Sequence, residues 1–536
     1  MTVNGASKRR GTRRVVSFLS LAGTLLAARG AKATGFTDIG QDITPRTDTA
    51  VKLGGYWRMR GEMLHDLDLN RGLTPSGQTL FPQPASDPNG HTLYGGDMRL
   101  RTDLAIYAPG GGVAVKARID TLDDVMLGST TPAGSYAAAT TQTSPQSALR
   151  VKRVYGEALT PIGLLAAGRM GNHWGLGMLA NGGDCADCDS GDSADRVAFL
   201  TPVLGHVIAL AYDFSATGPV TPRKDGVRSI DLEPSDDVHT VTFAFLRFHD
   251  QLARERLRQA NRATVEYGAY VSHRWQKNDV PASYLPVAEP VPITGAQVMY
   301  RGYTATAADL WVRFATRAIR VEAEGAYLTA KVDQPSLIPG ALFRDPVTSR
   351  QLGGALESDL GAPEDPLSAG LDAGYASGDP APGFGAYPAA LASAPKRGDL
   401  DGPQASPPHD DTVDNFRFHP DYRIDRILFR EIIGTVTDAV YLRPHARATL
   451  IRNAAFQVTA SVAGIASWAV YADSAPGQRH PLGVEVDPTL AIESNDGFLA
   501  ALEHGVLFPL SGLDNPQHGL VARPAQMVRL RLMYLF

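Results

Sequence analysis

At 536 residues and 57.2 kDa, the chain is too long for one ordinary core, so it asks for several soluble domains or one large barrel. Hydrophobic residues make up 43% and charged residues 20%, and mean hydropathy is -0.13. No stretch past residue 33 approaches the roughly 20 apolar residues of a spanning helix, which excludes a helical membrane protein. A net charge of -5 selects no partner, whereas 54 Gly and 37 Pro favour strands joined by turns.

At the start, Lys8, Arg9, Arg10, Arg13 and Arg14 precede an apolar run from Val15 to Ala28, followed by Ala31 to Ala33. This reads as a signal peptide over 1–33 with a cut after Ala33, leaving 34–50 as a periplasmic segment. Arg13 and Arg14 also fit a twin-arginine signal, but that route carries folded cargo, so general secretion is favoured.

In "GGYWRMRGEM", Gly55, Trp57, Met59 and Gly61 alternate with Tyr56, Arg58, Arg60 and Glu62. The period of two predicts a strand with one apolar and one charged face. The same criterion predicts strands over 51–63, 97–107, 112–123, 149–159, 162–171, 196–201, 206–214, 237–249 and 262–275. It continues with 308–317, 319–331, 349–360, 367–377, 438–450, 454–468, 482–493, 497–508 and 525–536, about 18 in all, with 16 as the lower bound.

Between the strands at 162–171 and 196–201 lies "GDCADCDSGDSAD". Cys185 and Cys188 are the protein's only cysteines, so a disulfide between them would be local. The loop lacks the second ligand pair of a structural zinc site. Asp184, Asp187, Asp189 and Asp192 suit a hard cation such as Ca²⁺ better, so the loop is either a small disulfide loop or a calcium site.

The longest connection, 378–437, starts rich in Pro and Gly and ends "DYRIDRILFREII", where Ile424, Ile427, Leu428 and Ile432 fit helical spacing. Folded inward, it would constrict a pore with Arg426 and Arg430. Folded outward, it would cap a barrel or bind a neighbour. The chain closes on "QMVRLRLMYLF", where Arg529 and Arg531 oppose Val528, Leu530, Leu532, Tyr534 and Phe536.

Short links such as 108–111, 160–163 and 494–496 take turns with long polar loops such as 64–96, 172–195 and 509–524. A link of intermediate length, 251–261, is the exception. Transmembrane barrels put short turns on one side and long loops on the other. The fold expected is therefore an all-β, transmembrane, antiparallel barrel over 51–536, with lipid on the apolar face and a lumen on the charged face.

The opening "LGGYWRMRGEMLHDLD", the later "AGYASGD" at 373–379 and the terminal aromatic strand resemble Gram-negative outer-membrane barrels. More narrowly, they are similar to the alginate-export family of 18-stranded porins and to related myxobacterial barrels of undefined role. The resemblance implies residence in the outer membrane among its lipids and passive passage of small or anionic solutes, among them anionic polysaccharide, without a cofactor. It also implies that Phe536, with Tyr534, belongs to the signal read by the barrel assembly machinery.

If the first and last strands pair, Arg58, Arg60, Arg99, Arg101, Lys116, Arg118, Arg153, Arg529 and Arg531 form one basic wall. Such a wall would concentrate anions in a confined lumen. Asp103, Asp120, Glu62 and Glu157 are positioned to neutralise it, so a weakly selective lumen is the competing expectation. No G-x-S-x-G, Walker loop or HExxH occurs and the histidines are scattered, so the chain is not read as an enzyme. Nothing points to nucleic acid. The function expected is an outer-membrane porin or export channel; the alternative is a plugged structural barrel whose loops bind partners or adhere.

Overall fold

The computed structural model describes Phe36, Ile39, Gly40, Ile43 and residues 47–536 except 88–89, 129–148, 281–294 and 339. The signal peptide expected over 1–33 lies outside the described residues. The strands are β1 (Ala50–His65), β2 (Thr92–Tyr107), β3 (Val113–Met126), β4 (Leu149–Thr160), β5 (Gly163–Gly171), β6 (Ser193–Val203), β7 (His206–Ala216), β8 (Val220–Pro222), β9 (Ser229–Asp231) and β10 (Val238–Arg247). They continue with β11 (Thr264–Asp279), β12 (Met299–Ala315), β13 (Ile319–Val332), β14 (Val347–Leu360), β15 (Leu367–Ala376), β16 (Ala439–Arg452), β17 (Phe456–Ala469), β18 (Pro481–Ser494), β19 (Phe498–Pro509) and β20 (Ala525–Leu535).

Each strand except β8 and β9 pairs antiparallel with its neighbours, and β1 pairs with β20, closing an 18-stranded transmembrane barrel. Closure continues to the last residue: the Gly55 amide donates to the Phe536 carbonyl at 3.0 Å, and the Phe536 amide donates to Gly55 at 3.1 Å. Every strand expected from alternation is present. Their bounds differ most at β12, which starts at Met299, because polar pairs such as His273–Thr306 extend the ladder beyond the apolar segment. The short hairpin β8–β9 within the long connection after β7 was not anticipated.

Alternation places Leu310, Val312 and Phe314 of β12 on the outside, 68%, 47% and 40% exposed, while Trp311 and Arg313 point in and are buried. Only a closed barrel satisfies its backbone groups internally while presenting such a band to lipid. No helix among the described residues is long and apolar enough to span a membrane. The one α-helix among the described residues, α1 (Gln251–Gln259), sits in the exceptional link between β10 and β11. Asp250 caps its first turn by accepting from the Ala253 amide at 2.7 Å, and Arg256 and Arg258 lie in its last turn, where the helix dipole favours cations.

The apolar cores lie within the ring of strands. One cluster joins inward residues of β14 to β20 with the 377–438 connection. The other joins inward Leu164, Ala198, Ala209, Ala244 and Trp311 with Trp174, Phe36 and Ile39. Phe36 belongs to the segment expected in the periplasm, yet it is 3% exposed and its ring lies 5.1 Å from the guanidinium of inward Arg196. The lumen is thus not uniformly polar. From β5 to β10 its wall carries small apolar residues that leave room for these inserted side chains.

Candidate functional site

The basic wall forms where alternation puts it. Arg58 stands opposite Arg99 in the β1–β2 ladder, Arg60 opposite Arg531 across the closure, and Arg118 opposite Arg153 between β3 and β4. Its cations are not free, however. Arg101 makes a fork to Asp120, with contacts of 2.8 and 2.7 Å, and Arg118 grips Asp103 at 2.6 and 2.9 Å. Lys116 meets Glu157 at 2.9 Å, Arg529 meets Glu62 at 2.8 Å, and Arg531 meets Glu503 at 2.8 Å. Arg58 and Arg99 are both 0% exposed and share Asp124. Bidentate arginine–carboxylate pairs such as these fix geometry as well as charge.

A backbone irregularity supplies part of that neutralisation. Residues 122–124 together stand opposite Arg99 alone, and Leu122 and Asp124 take φ values of 54° and 53°. This bulge turns Asp123 and Asp124 to the same side, so both reach Arg99, although a regular strand would have sent one of them to lipid.

The rest comes from the connection after β5. Residues 172–192 fold into the lumen and press a hairpin, closed by a Cys185–Cys188 disulfide, against the wall. The carbonyl of Cys188 accepts from Arg99 at 2.7 Å and from Arg58 at 3.1 Å. Gly183, at φ 68°, makes the turn possible, since an added Cβ would lie 2.4 Å from the Ser190 carbonyl. Asp184 pairs with Arg118 and with Arg153. Asp187 is met by Arg430 at 2.6 Å, Arg60 at 3.1 Å and Arg423 at 3.3 Å, with Arg531 and Arg529 at 3.6 and 4.0 Å. Asp189 is met by Arg423 at 2.5 Å, Arg60 at 2.7 Å and Arg58 at 3.1 Å. Burial would push the Asp187 carboxyl up, but Arg430, Arg531, Arg423 and Arg529 outweigh it and hold it well below the ordinary range.

The start of the same loop reaches the far side. The Glu324 carboxylate on β13 accepts from the amides of Leu176 and Leu179, the latter at 3.3 Å, and the indole of Trp174 donates to Asp309 on β12 at 2.9 Å. In the ring of 18, β12 is nine strands from β1 in either direction, so the loop spans a full diameter.

The 377–438 connection also folds into the lumen. Its base is the "AGYASGD" stretch: Asp379 is 0% exposed and accepts from the amides of Ala381 at 3.0 Å and Asp414 at 2.8 Å. Near its end, the Glu485 carboxylate accepts from the amides of Arg426, Ile427 and Leu428 at 2.8, 2.8 and 3.0 Å. Arg426 reaches Glu503 at 2.9 Å and Arg430 reaches Asp187, so both arginines lie inside the barrel. Phe384, Phe416, Phe418, Ile427 and Leu428 pack into the first apolar cluster.

Two expectations need correction. The helix suggested at 424–432 is a single wide turn, Leu428–Ile432, because Glu485 and Asp425 take the amides that would start a longer one. The aspartates of the disulfide hairpin form no calcium cradle: arginines take up their carboxylates, Arg118 and Arg153 at Asp184 and a shared set including Arg60, Arg423 and Arg430 at Asp187 and Asp189, and Asp192 faces His419 at 3.5 Å and the Asn181 amide. Tyr534 and Phe536 lie on the outer face, 45% and 49% exposed.

Sequence reasoning placed the wall residues on one face but missed Asp97, Asp123, Asp124, Asp187 and Asp189 as their partners. Asp97 stands opposite Arg60 in the regular β1–β2 ladder and was legible from alternation, whereas Asp123 and Asp124 are legible only through the bulge. The hairpin pairs span some 130 positions of chain, for example Arg58 with Asp189, and carry no sequence signal.

A scan against protein-family models finds no match, and no curated protein matches the chain. Solved structures of similar fold include the outer membrane protein OpdK of Pseudomonas aeruginosa, at 10% identity and a TM-score of 0.41, covering 90% of this chain and 99% of that one. The outer membrane channel DcaP of Acinetobacter baumannii is similar at 12% identity and a TM-score of 0.34, covering 92% and 99%. OmpT, an outer membrane protein of Vibrio cholerae, is similar at 8% identity and a TM-score of 0.32, covering 92% and 100%. At these scores the likeness goes no further than barrel architecture.

Proposed function

We propose that the protein is an outer-membrane channel of porin type for small solutes, in which two inward loops set the resistance of the pore. The observation that carries this reading is the charged, ion-paired lumen crossed by residues 172–192 and braced by residues 377–438. At about 35 Å across, estimated from strand spacing and tilt, an unfilled ring of 18 strands would leave a wide aqueous passage. The loops narrow it with ion pairs and apolar packing, and motion of either loop would widen it. Because the wall arginines are paired, the resting pore is weakly selective, and anion preference belongs to states in which the hairpin has moved. Kinship with alginate-export barrels rests on the two short motifs and is part of this proposal, as is an assembly role for Phe536 and Tyr534.

The second reading, a plugged barrel whose loops bind partners or adhere, is favoured by the apolar packing of Phe384, Phe416 and Phe418 across the loop end. Recording the purified protein in planar bilayers separates the two. A channel gives stepwise conductance, with a reversal potential near zero under a salt gradient. Silence from protein whose heat-modifiable gel mobility shows a folded barrel rejects it.

A further inference from the structure

The disulfide hairpin is an unusual filler for a lumen. Side chains that merely occupy space need not be acidic, yet the tip places Asp187 and Asp189 in a cage formed by β1, β20 and the 377–438 connection. Arg58, Arg60, Arg423, Arg430, Arg529 and Arg531 converge there, and Arg60, Arg423 and Arg430 each touch both carboxylates.

The fit is incomplete. Nε of Arg58, Nε of Arg423, Nη1 of Arg529 and Nε of Arg531 are buried and have no hydrogen-bond acceptor among the described residues. Leaving a buried donor unmet is costly. Asp187 and Asp189, together with the wall and loop carboxylates that share these arginines, leave those four donors unserved. Guanidinium forks match tetrahedral oxyanions as well as carboxylates, and a phosphate group brings three acceptor oxygens where a carboxylate brings two.

We propose that the arginine cage is a binding site for a solute carrying two linked phosphate groups, and that Asp187 and Asp189 are its built-in stand-in, displaced when the solute enters. The site rests on the channel reading for its access route, since a solute must reach the lumen to find it. The hairpin is suited to release. It is the tip of the connection between β5 and β6, stiffened by its own disulfide, so it leaves as a unit, and the arginines it abandons keep wall or loop partners in Asp97, Asp124, Glu62, Glu503, Glu431 and Asp421. The cage therefore stays assembled without it.

The test is calorimetric titration of inorganic pyrophosphate into the full-length barrel in detergent. Docked aspartates compete with the ligand, so Asp187→Asn with Asp189→Asn should tighten pyrophosphate binding by about tenfold or more over wild type. Adding Arg423→Gln and Arg430→Gln should abolish it. Asp189→Asn alone, expected to tighten binding less, serves if the double variant loses heat-modifiable mobility. Binding no tighter in the aspartate variants, or unaffected by the arginine changes, overturns the site. Equal affinity for inorganic phosphate overturns the two-group assignment. Tighter pyrophosphate binding in a barrel that is silent in bilayers would reject the channel and keep the cage; conductance without that gain would do the reverse.

Discussion

Trp174→Ala tests whether packing holds the far half of the crossing loop. The side chain is 1% exposed, its ring lies 5.2 Å from that of Tyr270, and Gly268 sits so close beneath it that an added Cβ would come within 2.8 Å. Truncating a packed Trp costs about 3–5 kcal/mol, and Asp309 also loses the indole donor it holds at 2.9 Å. The barrel ladder does not depend on this side chain, so the loss falls on docking of the loop. About 3 kcal/mol corresponds to a factor of roughly 100 between docked and released states. Hydrogen exchange in detergent should show amides of residues 176–183 losing about that much protection, while those of β12 stay unchanged. Trp174→Phe keeps a ring and loses mainly the hydrogen bond, so its effect should be about tenfold. If Trp174→Ala leaves exchange at 176–183 within about threefold of wild type, packing does not dock the loop and the reasoning fails.

The other tests concern the long connection. Burial, with Asp379 nearby, pushes the Asp438 carboxyl up to about 7, while an undocked aspartate ionises near 4. Between those values the docked form keeps a proton that the released form gives up, so docking weakens as pH rises from about 4 to about 7, by an upper limit of about 4 kcal/mol, and then levels off. Proteolysis of residues 377–438 should be faster at pH 8 than at pH 5, and Asp438→Asn should reduce that difference without abolishing it, because burial also pushes up Asp379, Asp401 and Asp425; equal rates in the wild type would count against it. Asp187 shifts the opposite way, so its arginine pairs persist across this window and weaken only in strong acid. In β14, Gly353→Ala would drive a Cβ to 2.3 Å from the Phe416 ring, costing the connection about 1–3 kcal/mol and speeding its proteolysis. Gly354→Ala, whose nearest approach is 3.7 Å, should change nothing.

The barrel was legible because each strand carries its own evidence. An alternation such as Met98, Leu100 and Leu104 against Arg99, Arg101 and Asp103 needs no knowledge of the rest of the chain. The wall followed from the same parity once β1 and β20 were joined. Its charge did not follow, because neutralisation depends on a bulge at 122–124 and on where a loop lands. Parity was also uninformative in β5 to β7, where "GLLAAG" and "VIALAY" are apolar on both faces, so the inserted Trp174 and Phe36 left no trace beyond small inward residues such as Ala166 and Ala209. Inward folding of 377–438 was one of two open expectations, since amphipathic spacing at 424–432 fits a lumen wall and an outside partner equally well.

The loop that ties Arg99 on one side to Glu324 on the other has a mechanical meaning as well as an electrostatic one. A ring of 18 strands with an empty middle is a compliant hoop that lateral membrane pressure can flatten into an ellipse. A segment clamped at both ends of one diameter acts as a spoke and resists that flattening along its own direction. Releasing either clamp would therefore change the cross-section of the whole ring, and a tug on one wall would be felt nine strands away.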